Sequence, residues 1–295
     1  MRSRTIEISI INVAMQSPHA PNRYVDLFKA ALDLDVAIPL RSNHAAQISC
    51  RFSPDTAELP EFLFGTIDKY YDLKKDDPWF NQRQARKAED HELSAVQRLP
   101  DELKPAHETF MFVFHLKKHL FFLLSKESGE GSMSSGQAGA FLDNLFNHSE
   151  LKDRFGHTAV TVVPRKGVLE WILQLDRLTK FEIDFFAPNA DDDDDLEIKI
   201  TNKLDQMHAK KMSTVFTARE HDSLDLDQET KQQARVAAKN GVVVGRGSKI
   251  DGKTETRSTV DQPLVEKHSY FPTLMTRYDA LVEKARQIIQ GGLPI

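Results

Sequence analysis

The chain has one cysteine, Cys50, in 295 residues. No internal disulfide can form, and a lone thiol outside a disulfide framework fits a reducing compartment, so a cytoplasmic location is expected. Long apolar runs are also missing. Runs such as Leu120–Leu124 fall far short of the roughly 20 residues a bilayer-spanning helix needs, so no membrane insertion is expected. Residues 1–15 begin with two arginines, but Glu7 and the alternation after it do not make a secretory leader. Positive charge is not in excess either. Lys and Arg number 39 against 44 Asp and Glu, a formal charge of −5, which argues against nucleic-acid binding over the whole surface. A local basic patch remains open, because phosphate affinity depends on where the charges sit.

Signature motifs are equally sparse. There is no H-E-x-x-H pair, and Ser132, Ser134 and Ser135 lie in no G-x-S-x-G elbow. Gly241–Ser248 resembles a phosphate loop superficially, but its glycine spacing is one short and Gly245-Arg246-Gly247 replaces Gly-Lys. No internal repeat or heptad array is present. No cofactor and no resident metal are expected.

What is present is an ordinary globular composition, 40% hydrophobic and 28% charged, with 18 Phe to fill a core. Thr5–Asn12 alternates with Ile6, Ile8 and Ile10 on one face, which predicts a strand. Pro21 opens a helix with Tyr24, Leu27, Phe28, Ala31 and Leu32 at helical spacing. Asn43–Phe52 and Phe62–Tyr71 predict strands. Residues 74–107, with Pro78, Pro100 and Pro105, predict loop and short helical pieces, with Trp79 pinning the loop to the core. Phe110–Phe114 and Leu120–Leu124 predict a hairpin central in a sheet, with His115 and His119 at its solvated turn. Cys50 is expected as a packed thiol, and His19 as a loop residue.

Ser135 is expected to cap a helix running to about Asn147. After it the pattern reads β-α-β-α-β-α: strands His157–Val163, Leu178–Phe186 and Met212–Thr217, with helices over about Lys166–Leu175, from the aspartate run to about Lys210, and over Gln228–Lys239. A last helix is expected over about Pro272–Gln290. The fold class predicted is α+β, with a mixed or antiparallel N-terminal sheet over residues 1–128. A C-terminal ferredoxin-like α/β sandwich over 129–295 would carry a flexible basic β-ribbon arm at 240–260.

Charge separates sharply in the last third. Asp184 and Asp191–Asp195 form an acidic stretch without a base. Seven bases follow between residues 231 and 257: Lys231, Arg235, Lys239, Arg246, Lys249, Lys253 and Arg257, against Asp251 and Glu255. Glycines 241, 245, 247 and 252 lie among them. A mobile basic ribbon would track DNA phosphates without reading sequence. The aspartate run is expected to complement a helix dipole, since neighbouring helical side chains diverge by about 100° and cannot converge on one ion. An alternative reading takes Asp184, Glu197 and Lys199 as the D…ExK core of a metal-dependent nuclease. It requires Glu197 and Lys199 on one face of a strand. Leu196, Ile200, Leu204 and Met207 fit a helix better.

Several blocks in residues 5–125 carry a resemblance. Ile8–Asn12 with Ser17-Pro18-His19 and Tyr24, Phe64-Gly65-Thr66-Ile67, Asp77-Pro78-Trp79-Phe80-Asn81 and the Phe110–Leu124 hairpin are similar, in that order, to an uncharacterised bacterial family of unknown function. Residues 130–290 resemble, in the order of their elements, the phage-exclusion protein RexA, through the Ser/Gly helix entry, the β-α-β unit and Asp251-Gly252-Lys253-Thr254-Glu255. That likeness implies a homodimeric, sequence-tolerant DNA-binding protein of antiviral defence, with no catalytic residue to carry over. The terminal helix is expected to help form the dimer, and a partner protein from a defence operon is the further possibility.

Overall fold

The structure is a computed structural model and describes residues 3–15, 20–51, 60–186, 195–249 and 251–292. Cys50 and Arg51 are described in backbone only, and His19 lies outside the described residues. The first strand, β1 (Arg4–Met15), is followed by α1 (Pro21–Asp33), β2 (Ile38–Pro39), β3 (His44–Arg51) and β4 (Phe62–Tyr71). The polar stretch after β4 holds a small ribbon, β5 (Phe80–Asn81) with β6 (Arg86–Lys87), and α2 (Ser94–Gln97). Within it the Trp79 indole donates to the Lys75 carbonyl at 3.2 Å and ties the loop to itself. The hairpin β7 (Glu108–His115) and β8 (Leu120–Glu127) comes next, then α3 (Ser135–Phe146), α4 (Ser149–Phe155) and β9 (Thr158–Val162). The remainder is α5 (Val168–Leu173), β10 (Arg177–Phe186), α6 (Asp195–Gln206), β11 (Lys211–Thr217), α7 (Gln228–Asn240), β12 (Gly241–Ser248), β13 (Thr254–Ser258), β14 (Val265–Tyr270) and α8 (Arg277–Gly291).

The large sheet has eight strands in the order β14-β1-β8-β7-β4-β3-β2, with β9 also on β1. Its pairings are antiparallel. β14 pairs with residues 4–9 of β1 and β9 with residues 11–15, so the two lie end to end along one side of the same strand. α1, α3 and α4 cover one face. There Phe28 stacks within 4.9 Å of Phe114 and 5.1 Å of Phe146, and Phe112 lies 4.5 Å from Phe121. Each such ring, fully buried, contributes roughly 1.5–3 kcal/mol. α8 covers the other face with Ala280, Leu281, Ala285 and Ile288. The inner side of this terminal helix is thus filled within the chain.

Two local expectations are corrected. Ser134, not Ser135, caps α3: its hydroxyl accepts from the Gln137 amide at 3.2 Å and the Gln137 side chain accepts from the Ser134 amide. His115 and His119 are buried rather than solvated, and His119 stacks on Tyr24 with ring centroids 4.3 Å apart.

The second sheet has the order β11-β10-β12-β13, again antiparallel, with α5, α6 and α7 on one face. It departs from the ferredoxin-like sandwich expected. β9 leaves for the large sheet, and β10 and β11, although joined through α6, are antiparallel neighbours rather than the parallel pair that a crossover helix usually serves. The division expected between residues 128 and 129 does not fall where the cores divide. The core over α1 includes Phe28 with Phe141 and Phe146, whereas the core of the second sheet, among the described residues, draws on residues 169–243.

Candidate functional site

The seven bases singled out in the sequence do not form one arm. β12 is an inner strand of the second sheet, paired with β10 and β13, so the segment is a ribbon but an integrated one. Its glycines serve close packing. A Cβ on Gly241 would stand 1.9 Å from the Asp184 carbonyl, one on Gly247 2.0 Å from the Arg177 carbonyl, and one on Gly245 2.5 Å from the Ile172 side chain.

The pleat then separates the charges. Arg246 faces away from the helices and is exposed, opposite Lys180 and Thr256. Arg257 faces the helices and is buried. Its guanidinium lies 5.0 Å from the Trp171 ring centroid, bonds the Trp171 carbonyl and pairs with Glu255 at 3.2 Å. Lys249 also pairs with Glu255, at 3.1 Å, and Lys253 lies 3.6 Å from Asp251. Arg257 and Lys249 are therefore held by internal partners.

Lys231, Arg235 and Lys239 recur every four residues along α7, drifting by only about 40° per step. α7 forms because its alanines and Val236 bury one side against β10 and β12, while Asp227 caps its start by accepting from Thr230 N at 2.7 Å. Arg235 and Lys239 of this stripe line a cleft between α7, α5 and the start of α6. The cleft has a volume of about 400 Å³ and is lined by Arg165, Gly167, Glu170, Gln232, Arg235 and Lys239, with Leu196 and Val236 among its apolar residues. Arg165, on the connection before α5, was not singled out in the sequence. Nothing in its local pattern places it beside residues 70 positions later.

The D…ExK residues are not assembled as a nuclease core would need. Asp184 on β10 accepts from Lys211 at 3.1 Å and from Ser213 at 2.6 Å. Positions 197 and 199 lie in α6, about 200° apart around its axis, instead of on one face of a strand. The aspartate run up to Asp194 lies outside the described residues. Among the described residues, no three or more His, Cys, Asp or Glu side chains gather as a metal site, and no helix is long and apolar enough to cross a membrane.

A second cavity lies on the large sheet where α8 leaves β3, β4 and β7 uncovered. It has a volume of about 680 Å³, with Ser49, Thr66, Asp68 and Thr109 on its floor and Phe64, Met111 and Tyr278 beside them. Asp68 is its centre. It accepts from Thr109 at 2.7 Å, from His107 Nε2 at 2.9 Å, from Ser49 at 3.1 Å and from Thr66 at 3.4 Å. Burial raises the Asp68 pKa, but the hydrogen bonds from Thr109, His107 and Ser49 outweigh it and hold the carboxyl below its usual value. Alternation in Phe62–Tyr71 already places Thr66 and Asp68 on one face. The registers that bring Ser49 and Thr109 beside them could not be read from the chain.

A family model described as Domain of unknown function (DUF4747) matches residues 4–286. The match spans both halves, so the likeness expected for residues 5–125 extends almost to the end of α8, and no finding supports the likeness of residues 130–290 to RexA. No curated protein matches the chain.

Proposed function

We propose that this chain, which belongs to the DUF4747 family, is a non-catalytic protein that holds DNA by its phosphates without strong sequence preference. The observation that carries the reading is the meeting of Arg165 with Arg235 and Lys239 at one cleft, with Lys231 continuing the stripe a turn further along α7. The stripe from 231 to 239 is about 12 Å long, which spans several charges of a duplex. Glu170 on the cleft wall and the net negative charge keep such a contact local. A bacterial antiviral role suits a sequence-indifferent binder, and plaque counts with and without the gene test it. Homodimerisation stays part of the proposal, and sedimentation at two concentrations tests it.

The decisive experiment is fluorescence anisotropy on a labelled duplex across a salt series. Arg235→Glu with Lys239→Glu should weaken binding and reduce the slope of log K against log salt by about 1.8, since each phosphate contact contributes about 0.9. Arg246→Glu, on the opposite face, should leave both unchanged. The reverse pattern would move the contact to the open face of the second sheet. An absence of salt-sensitive binding would overturn the reading and favour a protein partner.

A further inference from the structure

We infer that the cavity around Asp68 is a binding site for a small organic amine, with its ammonium on the polar floor and its apolar body against Phe64, Met111 and Tyr278. The argument is one of hydrogen counting. A hydroxyl has a single hydrogen, and those of Ser49, Thr66 and Thr109 are all donated to Asp68. These oxygens therefore offer only lone pairs to a visitor. His107 is likewise turned with Nε2 to Asp68. The floor is thus an array of acceptors around one carboxylate, and a ligand must bring the hydrogens.

An ammonium supplies three donors and a matching charge. An anion or an ether oxygen would face lone pairs and the Asp68 charge. The apolar side suits a cation's organic body. Tyr278 and Phe64 meet edge-on at 5.4 Å, and an aromatic face beside an ammonium adds attraction. The nearby cation Arg286 does not oppose this, because it is held by Glu61 at 2.6 and 3.0 Å. The volume of about 680 Å³ lies in the range of small-molecule sites.

The test is calorimetric titration of the full chain with 2-phenylethylamine, 2-phenylethanol and phenylacetate at neutral pH. The amine should bind saturably, the alcohol about tenfold more weakly or less, and the acid not at all. Asp68→Asn should weaken the amine about tenfold or more. Should that variant fold poorly, Tyr278→Ala, altered from the helix side, should still weaken it severalfold. Arg235→Glu should leave amine binding intact, so that failure of the DNA reading and failure of this one are distinguishable. Equal affinity for amine and alcohol, an amine affinity indifferent to both variants, or no amine binding at millimolar concentration would overturn the site.

Discussion

One buried polar residue, Glu127, and one half-buried, His157, set how this chain responds to mutation and to acid. The Glu127 side chain is wholly enclosed, where Arg277 Nε lies 2.8 Å away, Arg4 3.2 Å and the Tyr270 hydroxyl 3.0 Å. These partners reach it from β1, β14 and α8, so the carboxylate joins three elements. Glu127→Ala would remove the shared acceptor of Arg4, Arg277 and Tyr270, although Arg277 keeps Glu130 at 2.7 Å, and a loss of roughly 1–3 kcal/mol is expected in urea unfolding, against a smaller loss for Glu127→Gln, which keeps hydrogen-bonding atoms there. His157 supplies the acid response. Burial, then the Lys210 and Lys152 ammonium groups, pushes its pKa from 6.5 down to about 4, while its Nδ1 bonds Asn147 Oδ1. The unfolded imidazole takes a proton at about 6.5 and the folded one resists, so stability present above that pH is lost as the pH falls towards 4. The melting temperature should decline through this window, and His157→Gln should make the decline shallower.

Elements tell which physical signals a chain carries openly. β1, β3, β4, the β7–β8 hairpin, α1 and α7 were legible because alternation and helical spacing record which side is buried, and those sides are buried here. β14 was missed, since Val265–Tyr270 alternates around Glu266, Lys267 and His268 and shows little apolar signal at a sheet edge. The glycines of β12 misled for a different reason. Glycine marks both freedom and crowding, and only the register against β10 shows that these positions are crowded. With the arm went the single basic surface, since neighbours along a strand face opposite ways. The Asp68 cavity was illegible for the same cause, as three strands must be registered before its hydroxyls meet. The crowding is testable. Gly247→Ala sets a methyl against the backbone of Arg177, which cannot turn aside, and a loss of at least about 1–3 kcal/mol is expected. Gly136→Ala, in α3 with nothing within 4 Å of the added carbon, should instead stabilise by up to about 1 kcal/mol. Thermal unfolding of the two variants compares them directly.

At the scale of the whole molecule, the second sheet is an insertion into the first. The chain leaves the large sheet after β9 and returns at β14, and its exit and entry are tied together. Pro164 and Pro263 form an antiparallel bridge, Leu264 N donates to the Val163 carbonyl at 2.7 Å, and Arg165 N donates to the Gln262 carbonyl at 2.9 Å. The cores obey the same division. Val163 and Leu264 close the core under α8; among the described residues, neither core of the large sheet draws on a residue between them, and the core of the second sheet uses residues 169–243. Adjacent bridge partners lie roughly 5 Å apart, so a few glycines can span the gap when the insertion is removed. A chain joining residue 164 to residue 263 through such a linker should fold cooperatively, with dispersed amide resonances and a sharp thermal transition. It should keep the Asp68 cavity and its amine binding, and lose the α7 stripe and with it DNA binding. Residues 1–128 alone should behave oppositely. That fragment strips β9 and β14 from β1 and removes α3 and α8 from both faces, leaving apolar surface with nothing to cover it. Collapsed, dye-binding or aggregating material is expected from it. A well-folded 1–128 fragment, or a failed 164–263 fusion, would show that the two sheets depend on each other in a way their separate cores do not record.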